Sequence, residues 1–248
     1  YIEPLDAADY PFDDMLHEDF TKFPGHWDGD TLFSMILRYG HLGVSYNTTA
    51  VSAEEATSYD AFWKPELAGK VGHFDWHLPS LGMMSLKNGN GAGLWDLDDA
   101  SWDAVQETTL SLRPQVGGYF DYGGTFNSLK NGEMLAMCGI GDWITGVLER
   151  DGAPVASVIP QEGGIQWTES YCIGKDSDKA DLCKQFINYM LTPEGQVKSA
   201  QMVAYPGFCV TKAGRAALIE QDPAEAERSH QMDGMPNDPI ALINAGRI

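Results

Sequence analysis

Apolar residues recur along this chain at two spacings, and each spacing predicts its own element. Asp178 to Leu191 shows the helical one, with Leu182, Phe186, Ile187, Met190 and Leu191 on a single face. Thr192-Pro193-Glu194 then restarts a helix, with Thr as cap and Pro at its first position. Tyr59, Phe62, Trp63 and Leu67 predict a further helix over 58–67, ended by Gly69. More helices are expected over 80–86, 101–112, 125–131 and 142–150. The 13–30 region, rich in acids, aromatics and glycine, reads as loops with one short helix. Leu32 to Asn47 is a long apolar stretch interrupted by Arg38-Tyr39-Gly40, and its second half, 41–47, reads as a strand. Strands are also expected over 70–74, 134–138 and 154–159. Strands alternating with helices predict an α/β architecture with mainly parallel pairing.

One extended run carries chemistry. After the Gly163-Gly164 bend, Trp167 and Glu169 sit two residues apart, so in a strand they share a face. An indole beside a carboxylate suits a small organic cation, through cation–π attraction and a charge-assisted hydrogen bond. The plain alternative is a core Trp next to a surface Glu. Asp142 stands where a buried strand gives way to a helix, and Asp75 ends another strand in the same way. Each taken alone reads as a helix cap or a loop acid. Ligands of open α/β sheets bind outside the carboxyl ends of strands, so Asp75, Asp142 and Glu169 are expected around one cleft with Trp167 as a wall.

Composition narrows the partners. The 248 residues include 36 acidic and 16 basic side chains, a net charge of −20. Such a surface argues against nucleic acid and anionic membranes, though acidity also serves solubility. No stretch approaches the roughly 20 apolar residues of a membrane-spanning helix. The opening Tyr1-Ile2-Glu3-Pro4 lacks the basic start and apolar core of a secretory signal, and is read as a processed or internal start. Cys138, Cys172, Cys183 and Cys209 allow three full pairings or none, and none has zinc-site spacing.

Other motifs carry less. Asp96-Leu97-Asp98-Asp99 lacks the glycine of a calcium loop, and helix capping by Asp98 or Ser101 is the better account. His73 and His77 have a four-residue spacing without the Glu of a zinc-protease helix, and a loop is expected there. Asn88-Gly89-Asn90-Gly91-Ala92-Gly93 is a turn with no phosphate-binding signature. No G-x-S-x-G elbow occurs, so no metal, cofactor or catalytic group is expected.

Several passages together resemble the periplasmic spermidine/putrescine-binding proteins. They are Arg38-Tyr39-Gly40 through Tyr46-Asn47, Trp63-Lys64-Pro65-Glu66-Leu67-Ala68-Gly69-Lys70-Val71, Asn131-Gly132-Glu133, Ile159-Pro160-Gln161-Glu162-Gly163-Gly164, Phe186-Ile187-Asn188-Tyr189-Met190-Leu191 and Tyr205-Pro206. The resemblance implies a two-lobed, type II periplasmic-binding-protein-like α/β fold with the first part of lobe one missing. Residues 1–41 and 169–212 would form the rest of lobe one, and 42–168 with 213–248 lobe two. It implies a monomeric, periplasmic, non-enzymatic receptor that captures a small cationic amine between the lobes and serves an ABC-transporter permease. Trp167 and Glu169 match the family's aromatic wall and amine anchor, Asp142 an acid of putrescine-preferring members, and Asp75 and Tyr205 further contacts. Trp143 stands near an absent stacking Trp, Tyr39 is a further wall residue, and Pro79 replaces a usual Glu. The rival readings are a receptor for γ-aminobutyrate, a betaine or an opine, with Arg38 meeting the ligand's carboxylate, and a carboxylate-based hydrolase.

Overall fold

A computed structural model of the chain describes residues 1–17, 20–232 and 242–244. The chain divides into two compact units. Among the described residues, unit 1 takes Tyr1–Gly40 and residues 168–232, and unit 2 takes His41–Trp167 with the strand Leu242–Asn244. The chain passes from one unit to the other inside two strands, Met35–Leu42 and Gly164–Tyr171.

In unit 2 a five-stranded sheet runs in the order Val116–Phe120, Val71–Phe74, Ala136–Cys138, Val44–Asn47, Val155–Val158. The first three strands are parallel to one another. Val44–Asn47 runs antiparallel to both its neighbours, so the sheet is mixed where mainly parallel pairing was expected. The physical reason is insertion: Ala136–Cys138 and Val155–Val158 are joined by a helical crossover, and the earlier Val44–Asn47 lies between them, running against both. The Val116–Phe120 strand has no counterpart among the sequence expectations. Glycine is required there, since a Cβ on Gly117 would lie 2.3 Å from the Gly69 carbonyl oxygen.

Helix His77–Lys87 lies over this sheet and buries Met83, Met84 and Leu86. Helix Asp142–Arg150 buries Ile144 and Leu148 on a strongly one-sided apolar face. Helix Asp99–Ser111 is started by Asp98, whose carboxylate accepts from the Ser101 amide at 2.8 Å. The helix expected over 58–67 is instead two short 3-10 turns, Tyr59–Trp63 and Pro65–Leu67. Pro65 forces Lys64 out of the helical region, to ψ 131°, which breaks the run.

Unit 1 is built on Met35–Leu42, which pairs antiparallel with Phe208–Cys209. Its core gathers Leu16, Phe20, Leu32, Met35, Leu37, Ile173 and Val210. The buried Gln196 side chain ties three segments together. Its Nε2 donates to the Leu37 and Met190 carbonyls, both at 2.9 Å. Its Oε1 accepts from the Val210 amide at 2.7 Å and the Thr211 amide at 3.3 Å. Residues 213–232, expected in lobe two, belong to unit 1. Helix Lys212–Gln221 packs its Gly214 so tightly on Gln196 that a Cβ there would come within 2.4 Å, and Val197, Ala200, Cys209, Leu218 and Ala226 close a second core beneath it. Of the remaining lobe-two expectation, 242–244 pair in parallel with Gly164–Gln166 in unit 2, while 233–241 and 245–248 lie outside the described residues.

All four cysteines are free thiols. Burial pushes the Cys209 thiol up to about 12 and Cys138 higher still, which makes both poor nucleophiles. No helix among the described residues is long and apolar enough to cross a membrane.

Candidate functional site

The three parallel strands of unit 2 end at one edge, and their carboxyl ends carry the acids and rings that the sequence singled out. Val71–Phe74 runs out into Asp75 and Trp76, Val116–Phe120 into Asp121 and Tyr122, and Ala136–Cys138 into the Gly139–Asp142 turn. Asp75 is exposed, and its amide donates to the Phe120 carbonyl at 2.8 Å, which pins two strand ends together. The third end is shaped by glycine. Gly139 adopts φ 85°, and a Cβ on Gly141 would strike the His41 carbonyl oxygen at 1.9 Å. This turn delivers Asp142 into the first residue of its helix, with Gly141 at the cap position that a side-chain cap would otherwise occupy.

Asp142 is buried, 7% exposed, at a helix N-terminus whose dipole favours an anion. Trp143 follows it into the interior. Its indole stacks on Tyr122 (centroids 5.7 Å apart, planes 17° apart) and meets Phe74 edge-on at 5.6 Å. Tyr122 in turn touches Phe126 at 5.0 Å. Asp121 caps the helix Tyr122–Lys130 by accepting from the Gly124 amide at 2.7 Å. Asp75, Asp142 and Trp143 are thus gathered at one strand-end edge. Tyr122, Phe74 and the half-exposed Trp76 join them without having been singled out from the sequence. The available signal was position, since each lies within two residues of a strand's carboxyl end.

The Gly164–Tyr171 strand carries a different set. Trp167 and Glu169 are alternate residues of the Gly164–Tyr171 strand, and the strand itself forms where the extended run predicts it. Trp167 is half-buried at the end of unit 2, and Glu169 lies in unit 1. Glu169 is held by Arg38, which donates from Nε to Oε1 at 3.1 Å and from Nη2 to Oε2 at 2.9 Å. Arg38 also donates from Nη1 to the Tyr205 carbonyl at 2.6 Å and lies over the Tyr205 ring, 5.2 Å from its centroid. Glu169 and Tyr205 are therefore brought together by the very cation that the rival reading reserves for a ligand carboxylate. Tyr39, next along the strand, takes the opposite face. There it packs on Phe20 at 4.7 Å and Phe208 at 5.4 Å, inside the unit 1 core.

The electrostatic consequence is specific. A carboxylate already bound by a guanidinium adds little net negative field, although it keeps lone pairs for a further donor. Asp142 is the most deeply buried acid among those singled out from the sequence. No group of three or more metal-ligating side chains occurs among the described residues.

A family model described as bacterial extracellular solute-binding protein matches residues 1–227. Spermidine/putrescine-binding periplasmic protein 1 of Haemophilus influenzae is 27% identical over 227 residues, 90% of this chain and 61% of that protein. The putrescine-binding periplasmic protein PotF of Escherichia coli is 27% identical over 211 residues, 78% of this chain and 56% of that protein. The chain thus spans roughly half to three fifths of the curated relatives it matches. Among solved structures, the substrate-binding protein PotD of a Streptococcus pneumoniae spermidine/putrescine ABC transporter aligns with a TM-score of 0.79 at 20% identity, over 100% of this chain and 72% of that one. A substrate-binding protein of a Bradyrhizobium japonicum ABC transporter aligns with a TM-score of 0.72 at 16% identity, over 98% and 70%. The fold they share is the α/β fold of periplasmic binding proteins.

Proposed function

Because the chain belongs to the bacterial extracellular solute-binding protein family, we propose that it is the solute receptor of an ABC importer for a small cationic amine of the putrescine or spermidine kind. It captures the amine without chemical turnover and delivers it to a membrane permease from the periplasm. The observation that carries this reading is the strand-end edge of unit 2, where a buried carboxylate, Asp142, adjoins the Trp143–Tyr122 stack and Asp75 stands at the neighbouring strand end. Ammonium groups pair with the carboxylates, and ring faces take the methylene chain out of water. A hydrogen bond to a charged group contributes ~1.5–3 kcal/mol and each buried methylene about 0.8 kcal/mol. Two such bonds and four methylenes support micromolar affinity.

In unit 1, Glu169 serves as a hydrogen-bond acceptor rather than a net charge, with Arg38 orienting it and Tyr205 closing the group. Tyr39 shapes this face of the unit from the core side. In unit 2, Trp167 supplies a further ring face. The reading that a zwitterion binds Arg38 through its carboxylate is weakened, because that guanidinium is committed to Glu169 and the Tyr205 carbonyl.

Calorimetry and thermal-shift measurements with putrescine, spermidine, γ-aminobutyrate and glycine betaine test the proposal. Diamines are expected to bind and to raise the melting temperature while the zwitterions do not. Binding of the zwitterions alone, or consumption of the amine, would overturn it.

A further inference from the structure

Beside the strand-end edge, unit 2 contains a cavity of about 700 Å³ between helix His77–Lys87, the end of helix Asp99–Ser111 and the Val116–Phe120 strand. That volume lies within the range of small-molecule sites. Its deepest lining residues are Met84, Leu112 and Ser80, all almost fully buried. Its outer lining includes Leu110 at 58% exposed and Tyr119 at 70%. Large apolar side chains left this open around an apolar hollow form the profile of a ligand pocket rather than of a packing defect.

The polar lining is distinctive for this chain. Acids outnumber bases by 36 to 16 overall, yet the residues lining the cavity include Arg113, His73 and His77 and no carboxylate. His73 holds its Nδ1 2.7 Å from the Phe74 carbonyl and its ring 5.0 Å from Tyr119, and burial lowers its affinity for a proton. Arg113 is therefore the lasting positive charge here, since guanidinium does not titrate in proteins. Ser80 contributes one further signal. Its buried hydroxyl has no hydrogen-bond partner among the described residues, a state that proteins avoid unless a ligand or water completes it.

We propose that this cavity binds a small amphipathic organic anion, with an apolar or aromatic body against Met84, Leu81 and Leu112, a carboxylate at Arg113, and a hydroxyl near Ser80. The proposal does not rest on the amine reading, and the ligand has the opposite charge. A phenolic acid fits each element. The ring takes the apolar wall, the carboxylate meets the guanidinium at the rim, and the phenol answers the serine on the floor.

The test uses the full chain with 4-hydroxyphenylacetate, phenylacetate and tyramine, read by calorimetry and by amide chemical shifts at Leu110 and Tyr119. Tyramine keeps the ring and hydroxyl and reverses the charge. 4-Hydroxyphenylacetate is expected to shift those amides and to bind there about tenfold or more tightly than tyramine. Arg113→Gln, at an exposed position, is expected to remove most of that advantage, and Arg113→Lys to retain part of it. Ser80→Ala is expected to bring 4-hydroxyphenylacetate down to the affinity of phenylacetate. Equal binding of tyramine at these amides, an Arg113→Gln variant with unchanged affinity, or no shift at millimolar anion would each overturn the proposal. An unchanged preference for the phenol in Ser80→Ala would overturn the assignment of the floor.

Discussion

Arg38 grips Glu169 through two parallel hydrogen bonds, 3.1 Å from Nε to Oε1 and 2.9 Å from Nη2 to Oε2. The pair links neighbouring strands of unit 1, and the same guanidinium also holds the Tyr205 carbonyl and covers its ring. A planar fork matched to a carboxylate fixes geometry as well as charge. This corner of unit 1 is therefore rigid before any ligand arrives, and Glu169 is an oriented acceptor instead of a mobile anion.

Removing only the acid should expose that dependence. Arg38 has a side chain 11% exposed, while Glu169 is 34% exposed, so solvent screens part of the interaction. Glu169→Gln is expected to cost about 1–3 kcal/mol, most of it from a nearly buried cation left without its counter-ion. The double variant Arg38→Met/Glu169→Gln should recover much of the loss. Urea denaturation of all four proteins checks this. Strictly additive losses in the cycle would mean that the two side chains are not coupled.

Asp142 is buried in the first turn of its helix, where the dipole favours its charge. Asp142→Asn keeps the shape of the side chain and removes only its charge, giving up roughly 0.3–1 kcal/mol of favourable interaction with the helix dipole. Amine affinity is expected to fall about tenfold or more, the equivalent of one charged hydrogen bond, while the melting temperature moves by only a few degrees. Calorimetry with putrescine beside a thermal melt separates the two effects. Undiminished affinity in this variant would take Asp142 out of the amine site.

The elements most legible in the sequence are those whose ends carry their own chemistry. Asp98 capping Ser101 and Thr192-Pro193 starting a helix are local facts, and the structure keeps both. What the sequence hid depends on contacts far along the chain. The apolar stripe of helix Ala180–Met190 predicts burial, yet Ile187 is its one fully buried residue while Leu182 and Phe186 stay half open. Periodicity identifies a face, but it does not say what covers that face. Arg38 interrupts an apolar strand, and its partner lies 131 residues away, so no local rule links them. The strand through Gly117 and Gly118 is set by a close approach to Gly69, which no spacing announces. Trp143 illustrates the mixed case: its position at a strand end was readable, but its stacking on Tyr122 depends on two strand ends meeting at one edge.

Gln196 is the polar keystone of unit 1, and its removal should be severe. All four of its hydrogen bonds go to backbone groups, on the Met35–Leu42 strand, at the end of helix Ala180–Met190 and beside Phe208–Cys209. Gln196→Leu preserves most of the volume but leaves buried carbonyls and amides without partners, at about 1–3 kcal/mol for each group that water cannot reach. A loss of roughly 3 kcal/mol or more is expected in chemical denaturation. Gln196→Glu should also destabilise, because the carboxylate replaces a donor and faces two carbonyl oxygens. A loss below about 1 kcal/mol for Gln196→Leu would show that these four bonds are readily replaced.

Acid should weaken unit 1 through His26 before most carboxylates titrate. The residue is 5% exposed, and its ring lies 4.9 Å from Phe23 and shares a 2.7 Å hydrogen bond with the Ser170 hydroxyl. Burial lowers its pKa from 6.5 to about 4, so the folded protein holds this imidazole neutral over a range in which the unfolded chain binds a proton. Above 6.5 neither state is charged, and this group leaves stability independent of pH. Below 6.5 the unfolded state gains the proton first, and stability falls as pH drops toward 4. The loss amounts to roughly 3–3.5 kcal/mol at most, because each pH unit separating the folded and unfolded titrations is worth about 1.36 kcal/mol. His26→Gln removes the titrating group, and its stability should change less between about pH 6.5 and 4.5 than that of the unmodified protein. Denaturation midpoints across that interval give the comparison. Parallel curves for the two proteins would assign the acid sensitivity to groups other than this histidine.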